Sequence, residues 1–254
     1  LDRQKFNVVI CEDLEDLSLK ASQHITRYLV QQAEFKPRVS LGLSGGSTPE
    51  KLYQYLSRDP FKNEIPWNRL HLFWGDERCV PPDDPRSNFG MARDSLISKI
   101  PIPPENFHPI AGEEPDPHYA AHQYETHLRH FFDPPPWDWP RFDLMLLGIG
   151  SDGHTASLFP GEGVLEENKR WVCGVNSEKL EIPRLTLTFP VFNHASQILF
   201  LAAGMEKAPV LKNLTSHSSG SSALPYTRVQ PSQGQLFFFL DKASASQMTH
   251  SSKR

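Results

Sequence analysis

The chain has 254 residues, 38% of them hydrophobic, and 26 Lys and Arg against 30 Asp and Glu give a formal net charge of −4. That length accommodates one large α/β domain or two small ones, and a single domain over residues 1–254 is expected. The charge leaves no broad basic footprint for nucleic acid and no polybasic membrane surface, and no apolar run is long enough to span a bilayer, whereas a small anion needs only a few local cations.

Three widely spaced cysteines, Cys11, Cys79 and Cys173, suggest neither a disulfide framework nor a C-x-x-C metal site, so a reducing, cytoplasmic setting is expected. Twelve of the 23 prolines cluster at 81–85, 101–104, 115–117 and 134–140, where they mark rigid connections between elements. The chain starts at Leu1 without Met, which leaves room for an upstream segment.

In chain order, Phe6 to Cys11 is a short apolar strand, and Leu14 to Val30 carries Leu17, Ala21, Ile25 and Leu29 at helical spacing. Arg38 to Leu43 is a second strand that runs into Gly42-Leu43-Ser44-Gly45-Gly46-Ser47-Thr48-Pro49. Pro49 suits the first turn of the helix that follows. Strand, glycine turn and helix start together make a phosphate cradle, with Gly45, Gly46, Ser47 and Thr48 offering N–H groups and hydroxyls. It is not a Walker loop, because Thr48-Pro49 stands where Lys-Ser/Thr belongs. A plain turn with a Ser or Thr cap is the competing reading.

Leu70 to Trp74 is a third strand ending in Gly75-Asp76-Glu77-Arg78-Cys79. Arg78 there can hold a phosphate bidentately, and Asp76 can position a sugar hydroxyl or orient a histidine. An internal salt bridge explains the same residues. Ser87-Asn88-Phe89 then caps a helix through Leu96 and Ile97. A short strand lies near Phe107, and a helix from about Pro117 to Phe132 has Tyr119, Tyr124, Leu128 and Phe131 as its apolar side. His118 and His122 share a face of that helix, but no third ligand is near, so they read as solvated and no metal is expected.

Phe142 to Gly161 reads F-D-L-M-L-L-G-I-G-S-D-G-H-T-A-S-L-F-P-G. A buried strand, Leu144 to Leu147, delivers Asp152 and His154 to its carboxyl end, before a short helical reading from Thr155 to Phe159. Open α/β sheets bind ligands at that end. An imidazole there can accept a proton from water, and Asp152 or Asp76 can orient it. Strands follow at Trp171 to Val175, Arg184 to Phe189 and Gln197 to Ala203. Gly204-Met205-Glu206-Lys207-Ala208 then opens another helix and adds Lys207 to the same rim, with Arg184 approaching it. Thr215 to Ala223 is a Ser-rich loop, Gln235 to Leu240 a last strand, and the tail beyond Ser244 is expected to fray. Alternating strands and helices argue for an α/β fold with a mainly parallel open sheet and helices on both faces, doubly wound and Rossmann-like. Gly42 to Gly46 also fits G-x-S-x-G, but Asp152 and His154 lie only two residues apart, which makes a relay with Ser44 awkward.

Three blocks, L-G-L-S-G-G-S-T-P, G-D-E-R-C-V-P and L-G-I-G-S-D-G-H-T-A-S-L-F-P, resemble those of the 6-phosphogluconolactonases, in the superfamily that includes glucosamine-6-phosphate deaminase. R-L-T-L-T at Arg184 and G-x-x-K-A at Lys207 are weaker supporting blocks. The resemblance implies hydrolysis of 6-phospho-D-glucono-1,5-lactone to 6-phosphogluconate without a cofactor. His154 would activate water, with Asp152 beside it, and the cradle, Arg78, Arg184 and Lys207 would hold the phosphate. It also implies a phosphosugar lactone as partner, and leaves room for association or fusion with glucose-6-phosphate dehydrogenase. The deaminase branch carries Asn-Glu-Pro where this chain has Leu158-Phe159-Pro160, and a non-catalytic sugar-phosphate sensor is the other alternative.

Overall fold

A computed structural model describes residues 6–177, 180–214 and 224–248. The Ser-rich loop expected at 215–223 and the last six residues of the tail lie outside the described residues. The described start of the tail is not frayed, since Ala245 and Met248 pack against the core.

The strands are β1 (Phe6–Cys11), β2 (Val39–Leu43), β3 (Leu70–Trp74), β4 (Asp76–Arg78), β5 (Phe107–His108), β6 (Leu144–Gly148), β7 (Val172–Val175), β8 (Arg184–Leu187), β9 (Gln197–Ala202) and β10 (Gln235–Asp241). The helices are α1 (Leu14–Phe35), α2 (Ser47–Leu56), α3 (Phe61–Glu64), α4 (Asn88–Ser95), α5 (Pro117–Phe132), α6 (Phe189–His194) and α7 (Ala208–Leu211).

Seven strands form one sheet in the order β1-β10-β9-β6-β2-β3-β5. Every pairing in it is parallel. Strands β2 and β9 are buried at every residue, and β6 at all but Gly148, as expected of a parallel sheet covered on both faces. Because all seven strands point the same way, the loops after β9, β6, β2 and β3, four neighbours, open onto one rim.

Helix α1 follows from its sequence: Asp13 caps it by accepting from Asp16 N at 2.9 Å, and Leu17, Ala21, Ile25 and Leu29 are fully buried. It runs five residues past the expected end at Val30. Gln31, Gln32, Ala33 and Glu34 are good helix formers, and the helix stops at Phe35 because Lys36, preceding Pro37, takes an extended conformation.

Three expectations are corrected. First, β7 and β8 do not join the parallel sheet; with β4 they form a separate antiparallel sheet in the order β4-β8-β7. Only residues 176–183 connect β7 to β8, too short for the crossover that a parallel pair requires. Secondly, Thr155 to Phe159 is not helical. Thr155 and Leu158 form an isolated antiparallel bridge, and Ala156 sits in the left-handed region at φ 47°. Thr155 Oγ1 donates to Gly148 O at 2.9 Å and Ser157 Oγ to Asp76 Oδ2 at 2.8 Å, so side-chain bonds to other segments take the place of a helical ladder. Thirdly, Tyr119 is exposed on α5, whose buried face carries Ala120, Ala121, Tyr124 and Leu128. His118 and His122 are exposed as expected.

Candidate active site

The glycine turn connects β2 to α2. Gly46, at φ 101°, precedes α2 and no side chain caps that helix, so its first N–H groups have no side-chain partner. The turn is held from beneath by Tyr53, whose buried hydroxyl donates to Ser44 O at 2.8 Å and accepts from Ser44 N at 2.9 Å. Ser44 Oγ leans weakly on Gly45 O at 3.4 Å and makes no hydrogen bond to His154, the contact on which a serine elbow would depend.

His154 lies 2.5 Å through Nδ1 from Asp152 Oδ1, which also accepts the His154 amide at 3.1 Å. Nδ1 is therefore engaged, and Nε2 carries no hydrogen bond to a described residue. Burial alone would raise the Asp152 pKa, but the His154 amide and imidazole outweigh it and hold the carboxyl below the usual range. The imidazole lies against Phe159, with ring centroids 4.5 Å apart and the planes tilted by 41°. It also approaches Gly150 so closely that a Cβ there would sit 2.1 Å from Nδ1. Asp76, the other candidate partner, makes no hydrogen bond to His154: its Oδ2 accepts from Ser157 Oγ and its Oδ1 lies 3.4 Å from Asn88 Nδ2.

The adjacent acids Asp76 and Glu77 part in role. Glu77 is 1% exposed, and its carboxylate accepts from Arg78 N, Asn88 N and Phe89 N, each at 2.7 Å, and from Ser87 Oγ at 3.1 Å. It clamps the start of α4. Burial pushes its pKa up against the pull of those amides.

One cleft is lined by Gly45, Gly46, Ser47, Thr48, Asp76, Arg78, His154 and Lys207. Two of the expected site residues stay off that lining. Asp152 stands behind the imidazole it supports. Arg184 faces Arg78 across the antiparallel β4–β8 pair and donates to Ile182 O at 2.9 Å. Half-buried, it has its pKa lowered by burial and then by the neighbouring Arg78 cation. The same cleft also takes in Asn88, Ala156 and Glu206, which the sequence did not single out as site residues. The Glu206 carboxylate lies 3.9 Å from Lys207 Nζ. A Glu beside the Lys of G-x-x-K was a visible signal; nothing in the capping pattern at Ser87-Asn88 announced that the first residue of α4 would face the cradle.

Fold and site together define an α/β protein that gathers an uncapped helix start after a glycine turn, the cations Arg78 and Lys207, and a carboxylate-supported imidazole in one cleft. Residues 12–238 match the family model described as glucosamine-6-phosphate isomerases/6-phosphogluconolactonase, and the chain belongs to that family. It is 40% identical to a 6-phosphogluconolactonase of Nostoc sp. over 84% of this chain and 85% of that protein. It is 34% identical to one of Haemophilus influenzae over 90% and 97% of the two chains. Among solved structures, 6-phosphogluconolactonase from Trypanosoma cruzi superposes with a TM-score of 0.85 at 31% identity, covering 98% of this chain and 99% of that one.

Proposed function

We propose that this chain, acting as one domain, hydrolyses 6-phospho-D-glucono-1,5-lactone to 6-phospho-D-gluconate, the second step of the oxidative pentose phosphate pathway, with water activated by His154. The observation that carries the reading is the Asp152-supported imidazole in the same cleft as the glycine cradle, Arg78 and Lys207. The α2 N-terminus, the Ser47 and Thr48 hydroxyls and Lys207 take the phosphate, fixing the ring so that its carbonyl carbon reaches the imidazole.

Nε2 of His154 removes a proton from water as the oxygen adds to the lactone carbonyl. Asp152 stabilises the imidazolium through Nδ1–H. Cleft N–H groups stabilise the oxyanion that develops, while Arg78 helps hold the phosphate. When the tetrahedral adduct collapses, the bond to the ring oxygen breaks, and that oxygen takes the proton back from His154. A δ-lactone is activated enough for one base and one oxyanion site to suffice.

The deaminase branch would need a second carboxylate beside the histidine. At that place the chain sets the Phe159 ring against His154. Free Cys11, Cys79 and Cys173, each with its thiol pushed up to about 11 chiefly by burial, fit a reducing cytoplasmic setting. Among the described residues no helix is long and apolar enough to cross a membrane.

The test is disappearance of freshly generated lactone against its spontaneous background. Wild type should accelerate it, His154→Ala should abolish the acceleration, and Ser44→Ala should retain most of it. A wild type that binds 6-phosphogluconate without accelerating lactone loss would overturn the lactonase reading in favour of a sensor or the isomerase branch.

A further inference from the structure

Asn88 occupies an unusual place for a helix-start residue. Only 2% exposed, it sends Nδ2 to the backbone oxygen of Asp76 at 2.9 Å and toward Asp76 Oδ1 at 3.4 Å. These bonds fix the orientation of the amide, because a flip would set Oδ1 against two acceptors. Its Oδ1 is buried with no hydrogen-bond partner, in a residue that lines the cleft. A buried acceptor left without a partner is costly, so its placement calls for a reason.

The reason lies on the other side of that oxygen. A Cβ on Gly45 would stand 1.8 Å from Asn88 Oδ1 and 2.4 Å from its Cγ. The amide therefore fills the space a side chain at 45 would need, and the glycine backbone rests directly on it. From beneath, the same turn is held by Tyr53. Asn88 Nδ2 meanwhile grips Asp76, whose other carboxylate oxygen takes the Ser157 hydroxyl from the turn that follows His154. One chain of contacts, half-buried Gly45 against Asn88, Asn88 to Asp76, Asp76 to Ser157, thus spans from the phosphate cradle to the histidine turn.

We propose that Asn88 is a positioning residue for the phosphate cradle: it sets the height of the Gly45 backbone and fixes the separation between the bound phosphate and the His154 turn. The inference rests on the lactonase reading for the identity of the substrate, but its prediction for phosphate binding does not.

The experiment compares wild type, Asn88→Ala, Asn88→Asp and Gly45→Ala. Binding of inorganic phosphate and of 6-phosphogluconate is measured by calorimetry, KM and kcat by lactone disappearance, and folding by thermal melting. Asn88→Ala should weaken both ligands and raise KM about tenfold, the scale of one lost polar contact, while kcat at saturation changes far less. Gly45→Ala, which drives into the same contact from the opposite side, should do the same. Asn88→Asp keeps the shape but sets a second carboxylate against Asp76, so its binding defect should shrink as pH falls and one proton is shared by the pair. A general loss of packing would not produce that pH dependence.

Folded Asn88 variants with wild-type ligand affinity and KM would overturn the proposal, and so would a fall in kcat with KM unmoved. Should Asn88→Ala fail to fold, the isosteric Asn88→Asp and the Gly45→Ala variant decide it by the same criteria. A wild type that opens no lactone but binds phosphate refutes the lactonase reading alone, and the calorimetry still decides the role of Asn88.

Discussion

Asp152 reaches back only two residues to take both the amide and the ring nitrogen of His154, at 3.1 and 2.5 Å, so the acid and the imidazole it supports form one rigid unit within a single turn. Asp152→Asn would preserve the shape while losing the charge that stabilises an imidazolium. The expected outcome is a fall in kcat on the order of 10²-fold with KM nearly unchanged, read from steady-state lactone hydrolysis. Gly150→Ala should be at least as damaging, since the new methyl would displace the ring at Nδ1.

In the cleft, Lys207 Nζ lies 3.9 Å from the carboxylate of Glu206, whose side chain is 62% exposed. Lys207→Met should raise KM and weaken 6-phosphogluconate by about tenfold or more, as expected for losing a charge-assisted contact. Glu206→Gln should act in the opposite direction, tightening phosphate binding at low salt and losing most of that gain at high salt, because an exposed charge is screened. Calorimetry at two ionic strengths separates the cases; tighter binding that ignores salt would argue against an electrostatic origin.

Most of this site was legible before the fold was known, because its parts sit at the ends of apolar strands. The apolar runs Val39 to Leu43 and Leu144 to Leu147 each lead into a glycine turn, and the turns hold the donors and His154. The exchange of partners around it was not legible. Arg184 opens a strand that looked like the others, yet the short link to β7 turns that strand antiparallel to β7; its other edge pairs with β4, which sets Arg184 opposite Arg78. Asn88 was readable as part of a helix cap, but its contact with Gly45 depends on packing between segments far apart in the chain, which no local pattern encodes.

Tyr53 binds both backbone polar groups of Ser44, its N–H and its C=O, from a fully buried position. Tyr53→Phe would leave a buried N–H and C=O without that partner, costing about 1–3 kcal/mol of stability. The glycine turn should also loosen, so KM should rise together with the drop in denaturation midpoint. A variant that loses stability while keeping its KM would show that the cradle does not need this lock.

At the β5 edge of the sheet, His108 bridges two other imidazoles, with Nε2 3.0 Å from His71 Nδ1 and Nδ1 2.9 Å from His127 Nε2. Burial first, then the His127 and His71 charges, push the His108 pKa down to about 4. His71 is lowered by burial and Arg38, with Glu105 opposing, and His127 by burial and His130. The unfolded chain, with histidines near pKa 6.5, binds more protons than the folded one between that pH and about 4. Stability is therefore full above about pH 6.5 and declines as pH falls through that window toward 4. His108→Phe removes the central titrating ring from a site already walled by Phe73 and Phe131. Its melting temperature should fall less steeply than that of wild type between pH 7 and pH 4.5, by about 2–4 °C. Parallel melting curves for the two proteins across that range would show that the histidine chain keeps its protons to the same extent folded and unfolded.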